Sequence, residues 1–336
     1  MTFPMQHHYF APSRRTLLAG MASSIAAGLG LPLHAATPYP VRPVKIVVPY
    51  APGGATDVLA RLLAKRLTED LGQPFIVENK PGAESAVGAS FVAKSPPDGY
   101  NLLFTTDATL VLNPILGQAQ TYDVDRELAP IATMCYVNLL IVVPGTLPIR
   151  TFDDLVKYAK ANRGKLSYGS TGAGGQAHLM GEMFKKLTGT DIVPVPYKST
   201  GPVLTDVLAD RLIFGFPAIS SVIGFLTDGR LRALAISGES RSPLLPGVPT
   251  FSEVGAKDMD IGAWNALLGP AGMPQDVVAK LNAATNAMLS DKEVEKDLAG
   301  RGMMPLKKTP EQFAGYVRSE RARMAAIVKA SGVKLE

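Results

Sequence analysis

From Val44 onward, short apolar runs alternate with stretches of helical periodicity, and this alternation constrains the fold more than any other feature. Residues 44–49, Val-Lys-Ile-Val-Val-Pro, read as a buried strand. Leu59, Leu62, Leu63, Leu67 and Leu71 then recur at helical spacing, and Gly72 stops that helix. Residues 75–78 and 100–105 are further strands, separated by a small-residue helix over 86–93, and 131–137 is a fourth. Such a series builds a parallel sheet with helices on its faces.

A second series follows. It has helices over 152–161, 178–187 and 202–209, and strands over 166–170, 192–197, 212–216 and 231–237. The apolar run 139–143 reads as a strand crossing between the two series, and 263–268 as the strand that returns. The tail is helical over 274–289, 293–300 and 310–330, with no strand of its own, so it must pack on an existing sheet. The expected division is one discontinuous domain, 37–138 plus 259–336, and a second of residues 139–258, joined by crossing strands.

Composition narrows the chemistry. The 336 residues are 46% hydrophobic and 19% charged, enough apolar material for full cores. The net charge of +5 comes with no long Lys/Arg run, so a nucleic-acid partner is not expected. The lone cysteine, Cys135, cannot form an intramolecular disulfide, a CxxC pair or a zinc cluster. It sits in an apolar run and reads as a small core residue. The four histidines are His7, His8, His34 and His178, so no metal site or cofactor is expected.

Residues 1–36 read as an export signal of the twin-arginine type rather than as fold material. Arg14 and Arg15 precede a weakly apolar Ala/Gly/Ser-rich stretch that ends at Pro32 and the small residues Ala35 and Ala36. Three histidines leave with that segment, and the expected destination is the periplasm.

Ligands of α/β sheets sit beyond the carboxyl ends of strands, so the loops there are the candidate sites. The first runs Pro49-Tyr50-Ala51-Pro52-Gly53-Gly54-Ala55-Thr56-Asp57, between a strand and a long helix. Its glycines let the backbone turn sharply and approach a ligand. Thr56 or Asp57 can cap the helix, whose free N–H groups suit an anion. The second, Ser170-Thr171-Gly172-Ala173-Gly174-Gly175-Gln176-Ala177-His178, has the same logic and adds neutral hydroxyl and amide donors. It satisfies a dinucleotide pattern, but no acidic residue ends the next strand, which closes at Tyr197. The third carries Tyr197, Lys198, Ser199 and Thr200, with a single cation and two possible helix caps. Asp107 follows the strand ending at Thr105, placed to meet a ligand amine or hydroxyl, or to cap a helix. Two Gly-rich helix starts, one per domain, would grip a small carboxylate from both sides with neutral donors. His178 would be the base of any hydrolase, but no G-x-S-x-G elbow accompanies it, and a loop-anchoring role fits it better.

These loops also carry a family resemblance. Tyr39-Pro40, the run Val47-Val48-Pro49-Tyr50-Ala51-Pro52-Gly53-Gly54 with Thr56-Asp57, Asn79-Lys80-Pro81-Gly82, Pro97-Asp98-Gly99-Tyr100, Tyr168-Gly169-Ser170, His178-Leu179, Val195-Pro196-Tyr197-Lys198 and Pro246-Gly247-Val248-Pro249-Thr250 together resemble a Bug-type solute-binding receptor of the tripartite tricarboxylate transporter group. The resemblance covers residues 39–330. It implies a two-domain α/β periplasmic binding protein of Venus-flytrap form, with parallel-rich sheets flanked by helices. It implies a monomer that is not an enzyme, closing on a small organic carboxylate and delivering it to large and small transporter subunits. A sensor presenting the same closed state to a signalling partner is the alternative. Carried over, the grip falls on Tyr50, Pro52, Gly53, Gly54, Thr56 and Asp57, and on Ser170, Thr171, Gly174 and His178. Departures from the family pattern are Glu84 and Ser85 for glycines, Gly175 for Ser, Ser199 for Gly, Ile213 for an acid, and Asp107. They leave the ligand's identity open.

Overall fold

The computed structural model describes residue 4 and residues 38–117, 121–170, 175–197 and 199–332. The expected signal, apart from residue 4, lies outside the described residues. Residues Pro40–Glu336 form one compact unit.

Its first elements are β1 (Val44–Val48), α1 (Ala55–Leu71), β2 (Phe75–Asn79), α2 (Ala86–Ala93), β3 (Asn101–Thr106) and β4 (Leu128–Val137). β1 pairs in parallel with both β2 and β3, as the alternation requires. α1 buries Leu59, Leu63 and Leu67 along one stripe and ends where Gly72 takes the left-handed conformation at φ 73°.

β5 (Leu140–Pro144), α3 (Phe152–Ala161), β6 (Leu166–Ser170), α4 (Gln176–Thr188), β7 (Ile192–Pro196), α5 (Thr200–Leu208) and β8 (Leu231–Ile236) follow. β5 pairs antiparallel with β8, and β6 parallel with β7. The strand expected over 212–216 is instead an irregular segment that stitches these pairs together. Ile213 N–H donates to the Ser167 carbonyl at 2.9 Å, and Gly215 exchanges backbone hydrogen bonds with Val142. Pro217 has no N–H to continue the ladder, although its carbonyl accepts from Leu140.

The chain returns through β9 (Ala263–Pro270), then α6 (Gln275–Met288), α7 (Lys292–Gly300), β10 (Met303–Pro305) and α8 (Pro310–Ser331). β10 corrects the expectation of a strandless tail, since it adds three residues antiparallel to the edge of β4. So short a run carries no readable periodicity.

The large sheet has the order β10-β4-β9-β3-β1-β2. Its β1, β2 and β3 are parallel, while β9, β4 and β10 are antiparallel to their neighbours. The sheet is therefore mixed, because β9 enters from the far side of the chain's excursion through β5–β8. α1 packs on β1, β2 and α6. Val47, Leu103, Ala266 and Leu268 form one buried cluster with α2 (Ala86, Ala89, Val92) and α8 (Phe313, Val317). That cluster runs on into Tyr168, Phe184 and Phe214, where Tyr168 stacks on Phe214 with ring centroids 5.3 Å apart.

Register places the loops. Val137 faces Ala263 across β4 and β9, so the chain leaves and re-enters the large sheet side by side. Thr106 of β3 faces Asn265 of β9, putting the carboxyl ends of β1 and β3 at that same edge. In the other strand set, the 213–215 segment runs parallel to β6 and antiparallel to β5. The carboxyl ends of β6 and β7 therefore lie at the end where β5 begins, towards the large sheet.

Gly181 lets α4 lie directly on β6. A methyl at that position would stand 2.1 Å from ring carbons of Tyr168, which is wholly buried and pinned by Phe214. Gly181→Ala is expected to destabilise the protein by about 1–3 kcal/mol through overpacking. Thermal unfolding of the variant beside wild type checks this.

Candidate ligand-binding site

The first loop is built by Gly53 and Asp57. Gly53 adopts φ +86° with open space where a side chain would be, so it is there for conformation and for approach. Asp57, expected as a cap or a ligand contact, does not cap the helix and instead holds the loop before it. Its buried carboxylate accepts from the Gly53 N–H at 3.0 Å, from Arg61 Nε and Nη2 at 3.0 Å, and from Asn79 Nδ2 at 3.0 Å. It is a clamp on the loop. Arg61 lies one helical turn on, a spacing legible in the sequence. Asn79, which also donates to the Tyr50 carbonyl, comes from β2 and was not legible.

The N-cap of α1 is Gly54, which offers no side chain. The first intrahelical bond is Val58 N–H to the Gly54 carbonyl, leaving the amides of Ala55, Thr56 and Asp57 outside the helical ladder. Pro52, Gly53 and Gly54 are exposed, and Thr56 Oγ1 accepts from Asn265 Nδ2 at 3.4 Å. Tyr50 Oη bonds Thr106 Oγ1 at 2.8 Å and Thr109 Oγ1 at 3.0 Å. Ser85, at φ 78°, joins this hydroxyl cluster through Thr109 at 2.8 Å.

The second strand set repeats the arrangement. Ser170 is buried at the end of β6, and its carbonyl accepts from the Tyr197 N–H at 2.8 Å. Thr171 and Gly174 lie outside the described residues, as does Lys198. The N-cap of α4 is Gly175, again without a side-chain cap, and the ladder starts with Leu179 N–H to the Gly175 carbonyl. Ser199 is the N-cap of α5, exposed and making no capping bond from its side chain. The Tyr197 hydroxyl donates to Asp206. His178 is half-buried, its Nε2 3.9 Å from Glu182, which also binds Tyr168 and Lys185. Burial holds His178 below its ordinary value. It anchors a helix surface rather than poising a base.

Asp107 joins the two sets. It is buried, with Oδ2 accepting from Gln176 Nε2 at 2.9 Å and Oδ1 from the Trp264 N–H at 3.3 Å. Gln176 Nε2 also donates to the Gly262 carbonyl at 3.1 Å. Gln176 was visible only as one neutral donor in a Gly-rich loop. Its partner is 69 residues away.

The two carboxylates titrate in opposite directions. The Arg61 guanidinium beside Asp57 brings it from 3.8 to about 2. Asp107 has no such cation among the described residues, and burial pushes it from 3.8 up to about 7, with the Glu320 charge adding to the rise. Cys135, wholly buried, is pushed up to about 12 and offers no thiolate. Among the described residues no cluster of three or more His, Cys, Asp or Glu could hold a metal, and no helix is long and apolar enough to cross a membrane. A cavity of about 1030 Å³ lies away from the glycine loops, behind Tyr136 and Gly238 and against α8.

Two glycine-capped helix starts at strand ends, with first-turn amides outside the helical ladder, are chemically suited to an anion. Comparison with known proteins makes this specific. Residues 59–333 match the family model TctC, the tripartite tricarboxylate transporter family receptor. Protein BugT of Bordetella pertussis is 36% identical over 322 residues, covering 95% of this chain and 98% of that protein. Rpa4515 of R. palustris, solved with adipate, is 33% identical with a TM-score of 0.76, covering 88% of this chain and 99% of that one. MatC of Rhodopseudomonas palustris, solved with bound malate, is 30% identical with a TM-score of 0.70, covering 86% and 100%. The chain belongs to the tripartite tricarboxylate transporter receptor family, whose members are solute-binding receptors and not enzymes.

Two pH-dependent outcomes follow from the opposed carboxylates. The folded pKa of Asp57 is depressed, so its stabilisation is full above the unfolded value of 3.8 and is lost as pH falls through about 2. Asp57→Asn should remove that acid-side loss and cost about 1–3 kcal/mol at neutral pH. The folded pKa of Asp107 is raised, so its favourable contribution is full below 3.8 and is lost as pH rises through about 7. Wild type should therefore gain stability relative to Asp107→Asn as pH falls from about 7 towards 3.8. Denaturant titrations of both variants from about pH 7 down to about pH 2 check each sign.

Proposed function

We propose that this chain is an exported, periplasmic receptor that captures a small organic carboxylate between two lobes and delivers it to a tripartite tricarboxylate-type membrane transporter. The lobes are residues 37–138 with 259–336, and residues 139–258. The observation that carries the reading is the pair of uncapped helix starts, α1 at Gly54 and α4 at Gly175, at strand ends that face each other. Free amides and the helix dipoles favour an anion at each. A carboxylate needs two to four donors and no metal, which is what neutral amides and hydroxyls supply. Tyr50, Thr56, Ser170 and Ser199 are the described hydroxyls assigned to the ligand here, and Thr171, Gly174 and Lys198 are added from the sequence alone. Relatives solved with adipate and malate support the ligand class.

Closure follows only if the ligand touches both lobes in the closed state, since a ligand shifts an equilibrium by its differential affinity. The mature protein, residues 37–336, should melt higher in the presence of its carboxylate, by about 2.7 kcal/mol of added stability at a hundredfold excess over Kd. A melting panel of dicarboxylates, tricarboxylates, amino acids and aromatic acids, including malate and adipate, tests this. Absence of any shift across the panel would overturn it. Gly53→Ala, which forces a side chain into φ +86°, should weaken whichever ligand binds by about tenfold, through roughly 1–2 kcal/mol of backbone strain.

A further inference from the structure

We propose that Asp107 and Gln176 are positioning residues that latch the two lobes together and set the separation of the two glycine-capped helix starts before any ligand arrives. The inference rests on the two-lobe reading above. Asp107 directly follows β3 of the large sheet, and Gln176 is the first residue of α4, in the other lobe. Their bond of 2.9 Å therefore spans the cleft. The same Gln176 amide donates to the carbonyl of Gly262, the residue just before β9 on the returning crossing segment. Trp264, two residues on, holds the other oxygen of Asp107 through its backbone N–H. One side-chain amide thus ties the helix start beside the second glycine loop to the first lobe and to the hinge at once.

The geometry makes Gln176 an unusual choice for a helix's first position. An exposed glutamine there would gain nothing, yet its side chain is drawn inward onto a buried carboxylate that has no cationic partner among its described contacts. Such a carboxylate is costly to bury and repays the cost only through the hydrogen bonds it accepts. Opening would take Gln176 away with α4, while the Trp264 N–H stays beside Asp107 in the large sheet. The packing of α8 against α4, with an exposed bond from Lys186 Nζ to the Ala330 carbonyl at 3.2 Å, adds a second tie on the far side of the hinge. Loss of the latch should open the protein without releasing that side.

A latched receptor is preorganised. The closed state is populated without ligand, so less of the ligand's binding energy goes into closure. Breaking one bond to a buried carboxylate should shift the closed-to-open ratio by about tenfold.

The test is small-angle X-ray scattering of the ligand-free mature protein, residues 37–336, read as radius of gyration and pair-distance distribution. Wild type should match the compact form described here. Gln176→Ala should expand it, and at pH well above about 7, where both acids are charged, Gln176→Glu should expand it further by setting one carboxylate against another. The exchanged pair, Asp107→Asn with Gln176→Glu, restores a donor and an acceptor in reversed order and should recompact the protein relative to Gln176→Glu alone. A ligand-free wild type that is already open, or Gln176 variants that melt cooperatively with unchanged scattering, would overturn the latch. A partner placed only for stability would move the melting temperature and leave the shape alone. If malate, adipate and the rest of the panel fail to bind wild type while the variants still open, the carboxylate reading falls and the latch stands.

Discussion

The antiparallel pairing of β4 with β9 is the constraint on which the remainder of the structure depends. These strands are neighbours inside the large sheet, and they are also the two stems from which residues 138–262 hang. Because they run in opposite directions, the chain departs and returns at one edge of the sheet. That edge is where β1 and β3 deliver their loops, so everything built during the excursion must face the first glycine turn. The stems are tied just beyond the sheet. Asn138 Nδ2 donates to the Ser237 carbonyl, Leu139 N–H to Ser237 Oγ at 2.8 Å, and Gly238 N–H to Asp260 Oδ1 at 2.7 Å. These polar ties lie beside the buried apolar cluster that runs from the large sheet into Tyr168, Phe184 and Phe214.

The site works by what its side chains do to backbone. Asp57 shapes the first loop and leaves the helix amides open, and its charge is neutralised by Arg61 rather than by a ligand. Asp107 is deeply buried and has no cation among its described contacts, so burial raises it where Arg61 lowers Asp57. Neither is arranged for proton transfer. With Cys135 sealed in the core and His178 turned to Glu182, the molecule offers a ligand dipoles, amides and hydroxyls. That chemistry accords with membership of a solute-binding receptor family.

Much of this was legible in the chain. Leucines at helical spacing and a terminal glycine gave α1 nearly to the residue, and Gly53-Gly54 announced a sharp turn at a helix start. Local patterns of that kind are enforced by the chain's own geometry, so they survive into the fold. Three features did not show. β10 is too short for any period to register. The 212–218 segment has a strand's composition but bridges two ladders. Asp57 looked like a cap or a ligand contact, and only the approach of Asn79 from β2 and the backward reach to Gly53 reveal a clamp.

The sequence by itself determined the class of the protein: α/β, poor in reactive groups, with glycine-rich helix starts suited to an anion. Those properties depend on residue type and near spacing, which the covalent chain dictates. Tertiary structure decided which way each strand runs in the sheet, where the two helix starts stand, and which carboxylate keeps its charge. Those depend on contacts such as Asp107 with Gln176 and Trp264, between residues 69 and 157 positions apart. Burial and partners are set by packing, and packing is a property of the whole chain.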